Sequence, residues 1–254
     1  MDPAPDIKSP NEKTWLVVGA SRGIGHEFVR QLLAREERVI ATVRLHDADR
    51  ASKLWGDLGE GAERLKTAIC DISSAESIEE FVETIQRIPN LDIDCAVLNA
   101  GVLRYPNRAT ELSFDEFAFH LHTNTIGPIL TAQKLLKAKI PMKTILFMSS
   151  DSGSAANFLE KEDGFGAYAA SKAALNQMMR HMAAELKRAK DDTILLAVHP
   201  GEVDTDMANV DLPWEVEGSI SPEESVSAML KLIPTKTPQQ SGTFWTWEDN
   251  EYPW

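Results

Sequence analysis

The sequence of 254 residues predicts a doubly wound α/β fold, a parallel sheet with helices on both faces, and three observations carry that expectation. Short runs rich in Val, Ile and Leu alternate with longer amphipathic segments along the chain. The first such run, WLVVGA, leads through a glycine-rich turn, GASRGIG, into a helix-like segment. No Pro-, Gly- or Ser-rich linker divides the periodic segments, so residues 14–254 read as a single domain behind a polar, proline-rich and flexible segment of residues 1–13.

The elements follow in order. WLVVGA, IGHEFVRQLLARE and RVIATVR give strand, helix and strand, a βαβ opening. LKTAICDI is the next strand, and residues 74–88 the next helix, with Ser73 to Glu76 offering a capping box. CAVLNAG is a strand, residues 114–139 a long helical region, and TILFMSS a strand. The helix carrying Tyr168 and Lys172 precedes the strand ILLAVHP. Ser221, Pro222 and the two glutamates after them open a last helix over 222–233. Residues 242–254 read as an alternating aromatic strand and a tail, whose tryptophans either pack inward, line the pocket or meet another subunit.

Composition narrows the function. A formal charge of −13 leaves no basic stripe for sequence-independent nucleic-acid binding. The start of the chain lacks a cationic segment followed by an apolar run, and no apolar stretch approaches the ~20 residues that span a bilayer. The expectation is a cytoplasmic protein with no membrane partner. Cys70 and Cys95 share no CxxC spacing and read as small buried hydrophobes of a reducing compartment. His120 and His122 fall on different faces of a helix, and Asp204 and Asp206 lack the rest of a calcium loop, so no metal site is expected.

Chemistry concentrates in a few places. Gly19-Ala20-Ser21-Arg22-Gly23-Ile24-Gly25 lies between a strand and a helix, the context in which glycines let backbone approach a pyrophosphate at a helix N-terminus. The second strand ends at Arg44 instead of the acidic residue that would take ribose hydroxyls, and Arg22 sits in the turn itself. Two guanidinium groups there suit a 2′-phosphate and favour NADP(H); Asp47 and Asp49 keep NAD(H) open as the less favoured cofactor. Tyr168 and Lys172, four apart on a helix, share a face, where the ammonium would lower the phenol pKa toward neutrality.

The chain resembles the short-chain dehydrogenase/reductase family over nearly its whole length, which implies a Rossmann fold. GASRGIG matches the family's glycine-rich cofactor motif, Asp71 beside Ile72 in CDIS its adenine contact, and Asn99-Ala100-Gly101 its NAG element. Asn124 matches the helix asparagine that holds a relay water, Ser150 the active-site serine, and Tyr168 with Lys172 the acid/base pair. Pro200, Gly201, Val203 and Thr205 match the segment that meets the nicotinamide. The opening ASRGIGHEFVRQLL and the Pro-Trp ending are similar to the C-factor and sniffer carbonyl reductases.

The resemblance implies hydride transfer between NADP(H) and a small carbonyl or alcohol substrate, in a homodimer or homotetramer. A redox-neutral enzyme of epimerase or dehydratase type, or a non-catalytic dinucleotide-binding regulator, are the competing readings. Two features depart from the pattern. The stretch between Ser150 and Tyr168 is long and forms a loop at the site's mouth, which leaves Ser149 and Ser152 as alternatives for the serine. The lid region, 209–219, carries Leu212, Pro213, Trp214 and Val216, so an apolar or aromatic substrate touching Trp214 is expected.

Overall fold

The structure is a computed structural model that describes residues 12–49, 55, 61–212 and 218–254. The expected flexible segment therefore lies almost wholly outside the described residues. Seven strands are formed: β1 Thr14–Val18, β2 Arg38–Val43, β3 Leu65–Ile69, β4 Ile93–Leu98, β5 Met142–Met148, β6 Ile194–His199 and β7 Thr243–Thr246. They lie side by side in the order β3-β2-β1-β4-β5-β6-β7, every pair parallel. The order reverses between β1 and β4, the switch point at which such sheets open a crevice beyond the carboxyl ends of their strands.

Parallel strands covered on both faces read as continuous apolar runs, and alternate residues of one run serve opposite cores. Trp15 and Val17 face α1 (Gly23–Ala34) and α6 (Pro222–Leu232), with Phe28, Leu32 and Met229. Leu16 and Val18 face the other layer, with Phe81 from α2 (Ala75–Gln86), Leu135 from α4 (Gly127–Lys137) and Met179 from α5 (Gly166–Ala189). Of the Met-rich face of α5, Met179 and Met182 are core and Met178 is exposed. Cys70 and Cys95 are buried, and burial pushes the Cys70 thiol up to about 12.

Helix ends follow the sequence closely, with one shift. Ser221 accepts a hydrogen bond from the Glu224 amide, and Pro222 occupies the first turn of α6. At α2 the cap is Ser74, which accepts from the Ser77 amide, because Ser73 is already held by the Asp71 carboxylate through both its amide and its hydroxyl. The long region 114–139 is not one helix. α3 (Phe114–Leu121) passes into a π-helical turn, His122–Ile126, before α4 begins. A wide turn of this kind commonly marks a working site, and Asn124 lies at its centre.

The aromatic ending closes the sheet. Trp245 and Trp247 pack on the α1/α6 side, Tyr252 and Trp254 on the opposite side, with Trp254 stacked on Phe244 at 5.6 Å. Among the described residues no helix is long and apolar enough to cross a membrane.

Candidate active site

Two cavities open beyond the carboxyl ends of the central strands, and Ile24, Ser149, Tyr168, Pro200, Thr205 and Met207 line both. The first holds about 470 Å³ and runs from Arg22, Arg44 and Asp71 to Tyr168 and Lys172. Its floor is the glycine turn. Gly19 adopts φ +85°, and a Cβ on Gly25 would stand 2.1 Å from the Gly19 carbonyl oxygen, so neither position admits a side chain without moving backbone. Asn99 ties the turn down by donating to the Gly19 carbonyl at 2.8 Å. Ser21, Gly23, Ile24, Ile72, Ala100, Gly101, Pro200 and Thr205 also line this cavity. Gly25 packs behind the turn, and Gly201 and Val203 line the second cavity instead.

At the adenosine end, Arg44 pairs with Asp47 at 3.0 Å. Asp47 therefore anchors a guanidinium and does not stand free as a ribose acceptor. Arg22 is exposed on the rim of the cavity. Burial works against ionisation of Asp71, but hydrogen bonds from Ser73 and the charges of Arg44 and His46 outweigh it and hold its carboxyl below the usual range. A glycine cradle with no room for side chains, a helix N-terminus at Gly23 and a cationic rim fit a phosphorylated dinucleotide.

The proposed catalytic residues converge where the cavities meet. Of the three serines, Ser150 is the one whose hydroxyl acts to lower the Tyr168 phenol pKa, whereas Ser149 donates to Asn176 at 2.6 Å and Ser152 to Glu162 at 2.9 Å. Lys172 is buried, its Nζ 5.7 Å from the centre of the Tyr168 ring, and it donates to the Met148 carbonyl at 2.8 Å. Burial brings the Lys172 ammonium down to about 8. Contrary to the expectation from spacing, the phenol is not lowered: burial pushes it above its ordinary value, the Ser150 hydrogen bond opposes this, and Asp151, Glu202 and Glu162 push the same way as burial. Desolvation outweighs a lysine whose own ammonium is directed at a backbone carbonyl.

Asn124 lines neither cavity; its side chain is engaged with both the amide and the carbonyl of Val102, at 2.8 and 2.9 Å, and with Ser171.

Other residues of the site carried no readable signal. Asn107, 1% exposed, accepts from the amides of Ala167 and Tyr168 at 2.7 and 3.1 Å, capping α5 from a loop sixty residues away. The second cavity, about 300 Å³, is lined by Ser150, Tyr168, Asp151, Glu162, Glu202 and His199 together with Leu103, Leu159 and Phe165. The stretch between Ser150 and Tyr168 thus forms a wall of this cavity, as its composition suggested. Trp214 lies outside the described residues with the rest of 213–217, while Leu212 lines the second cavity.

Residues 13–215 match the short chain dehydrogenase family. An uncharacterized oxidoreductase of Schizosaccharomyces pombe is 31% identical over 260 residues, spanning 95% of this chain and 98% of its own. Among solved structures, an NADPH-bound carbonyl reductase from chicken fatty liver superposes with a TM-score of 0.84 at 28% identity, covering 96% of this chain and 99% of its own. The carbonyl reductase Sniffer of D. melanogaster gives 0.81 at 22% identity, with 96% and 100% covered, and shares the fold.

Proposed function

The chain belongs to the short chain dehydrogenase family, and from that premise we propose that it is an NADP(H)-dependent oxidoreductase that reduces the carbonyl of a small, apolar or aromatic ketone or aldehyde. The observation that carries this reading is the convergence of Tyr168, which lines both cavities, with Lys172 of the first and Ser150 of the second. NADPH, when bound, supplies the hydride that the carbonyl carbon requires. Gly19, Gly23 and the N-terminus of α1 hold the pyrophosphate, Arg22 and Arg44 the 2′-phosphate, and Asp71 the adenine. The carbonyl-reductase neighbour with NADPH bound supports the cofactor.

Ser150 holds the carbonyl oxygen, and Tyr168 gives it a proton. Burial and the surrounding carboxylates keep that proton on the phenol, the acid form that carbonyl reduction uses. Lys172 grips the ribose hydroxyls and passes a proton back to Tyr168. A homodimer or homotetramer through α3 and α5 belongs to the same reading, since Phe114 and Met178 are exposed there; light scattering at micromolar concentration measures it.

The test is a fluorescence titration with NADPH and NADH, followed by a panel of ketones while cofactor absorbance is recorded. Ketone-dependent NADPH oxidation is expected, falling about 10²–10⁴-fold in Tyr168→Phe with NADPH affinity kept. Tight NADPH binding with no turnover on any carbonyl would return the redox-neutral or regulator readings.

A further inference from the structure

The second cavity is marked as a substrate site by Tyr168 and Ser150, which open into it, and its remaining walls are chemically unequal. One wall is apolar, with Leu159 and Phe165. The other carries carboxylates placed directly beside the serine. The Ser150 hydroxyl lies within hydrogen-bond reach of the Asp151 carboxylate at 3.1 Å and of the Ser152 hydroxyl at 3.2 Å, and Ser152 in turn donates to Glu162. Glu202, from the loop after β6, brings a third carboxylate within 4.8 Å of Asp151 and His199.

Little opposes this charge. Among the described residues lining the cavity, Lys161 is the one lysine or arginine, and it is exposed. His199 does not supply a cation either, because its Nδ1 accepts the Asp151 amide at 3.1 Å and burial lowers its pKa. Carboxylates held in a concave, partly desolvated site repel anions and favour a cation that can replace lost water.

We propose that this cavity selects carbonyl compounds carrying a protonated amine on an apolar body, with Asp151, Glu162 and Glu202 as the specificity-determining residues. The inference rests on the carbonyl-reductase reading and names the substrate class of that same site. An organic ammonium is preferred to a metal ion because Nδ1 of His199 is already engaged by a backbone amide and the Asp151 carboxylate accepts from Ser150 and Ser152. α-Keto acids and other anionic carbonyl compounds are disfavoured by the same wall.

Three probes of similar shape test it: para-(aminomethyl)acetophenone, para-ethylacetophenone and para-acetylphenylacetate. Each is titrated by calorimetry at pH ~8, above the value of about 7 to which burial pushes Glu162, into the full chain saturated with NADP+, where no turnover intervenes, and each is then assayed for kcat/KM with NADPH. The cationic probe is expected to bind at least about tenfold more tightly than the anionic one, the neutral probe falling between. Glu162→Gln with Glu202→Gln should collapse the order; if that double variant does not fold, Glu202→Gln alone, at an exposed position, should narrow it.

Equal binding of the three probes, tighter binding of the anion, or an order unchanged in the variants would overturn the proposal. So would a thermal shift with zinc chloride alone that Glu202→Gln abolishes, since the carboxylates would then serve a metal. Turnover of all probes without charge order sinks this inference and leaves the reductase reading standing. Charge-ordered binding with no NADPH oxidation on any probe sinks the reductase reading while the charge selection stands.

Discussion

Arg44 reaches the adenosine end of the cofactor cavity already tethered, its guanidinium 3.0 Å from Asp47. A preset guanidinium loses less freedom when it meets a phosphate. Replacing Arg22 and Arg44 together by serine should therefore weaken NADPH about 100-fold and leave NADH nearly unchanged, because charge-assisted hydrogen bonds contribute about 1.5–3 kcal/mol each. Parallel fluorescence titrations of the two cofactors check this. Sequence alone named both arginines, but could not decide whether Asp47 served the ribose; its three-residue spacing from Arg44 was the available clue. Glu162 adds a pH dependence. Burial pushes its carboxyl up to about 7 from 4.5, Ser152 opposes, and Asp151 and Glu202 push further while Lys161 pulls back. A native pKa above the unfolded one means that the folded state binds the extra proton, so stability falls as pH rises from 4.5 to about 7 and levels off beyond. Glu162→Gln should remove that fall. Thermal melts should place the variant above the parent at pH ~8, with the gap gone below pH ~4.5.

The element that aims Tyr168 is the first turn of α5, and its cap comes from elsewhere in the chain. Phe165, at the N-cap, offers no side-chain acceptor, so Asn107 takes the amides of Ala167 and Tyr168 while donating to the Arg104 carbonyl at 2.5 Å. Asn107→Ala leaves a buried helix terminus unsatisfied and should cost about 1–2 kcal/mol. It should also lower kcat more than it raises KM, and Asn107→Asp, which keeps the accepting oxygen, should restore part of kcat. Equal kcat in the alanine variant would show that the cap serves stability alone. The strands and helices of this fold were legible because apolar periodicity is a local signal. The cap was not, since nothing near Asn107 in sequence points sixty residues ahead. The π turn around Asn124 escaped for a related reason: HTNTI has no breaker, and the widening coincides with close tertiary packing, where a Cβ on Gly127 would stand 2.4 Å from the Ile72 carbonyl oxygen. Tertiary contact of this kind leaves no mark on the pattern.

For the whole molecule, the sheet order sets where chemistry can occur, and the two ends of the second half of the chain are tied together beside that place. β7 adds parallel to β6, the chain then turns back, and Tyr252 and Trp254 pack against Phe244 on the far face of the sheet. From there the tail meets the wall of the second cavity: the Ala156 amide donates to the Trp254 carbonyl at 2.6 Å, and the Ser154 hydroxyl to the Pro253 carbonyl at 2.8 Å. Arg180 of α5 lies over the Trp254 ring at 4.8 Å. The aromatic ending could be read in sequence as strand, pocket lining or subunit contact; within the chain it is a strand followed by a brace, and none of its aromatic residues lines either of the two cavities. A brace acts on whatever it holds. Here that is the loop bearing Leu159, Glu162 and Phe165, which line the second cavity but not the first. Trp254→Ala should thus lower stability by about 1–3 kcal/mol, less than a fully buried tryptophan would, and raise KM for the carbonyl severalfold. NADPH affinity should stay the same, because the glycine turn and its arginines sit on β1, α1 and β2, away from the tail. Steady-state kinetics beside a cofactor titration separates these effects: a loss confined to NADPH affinity would place the tail's influence on the wrong cavity, whereas a rise in KM at constant NADPH affinity would identify the loop as the part the tail holds in place.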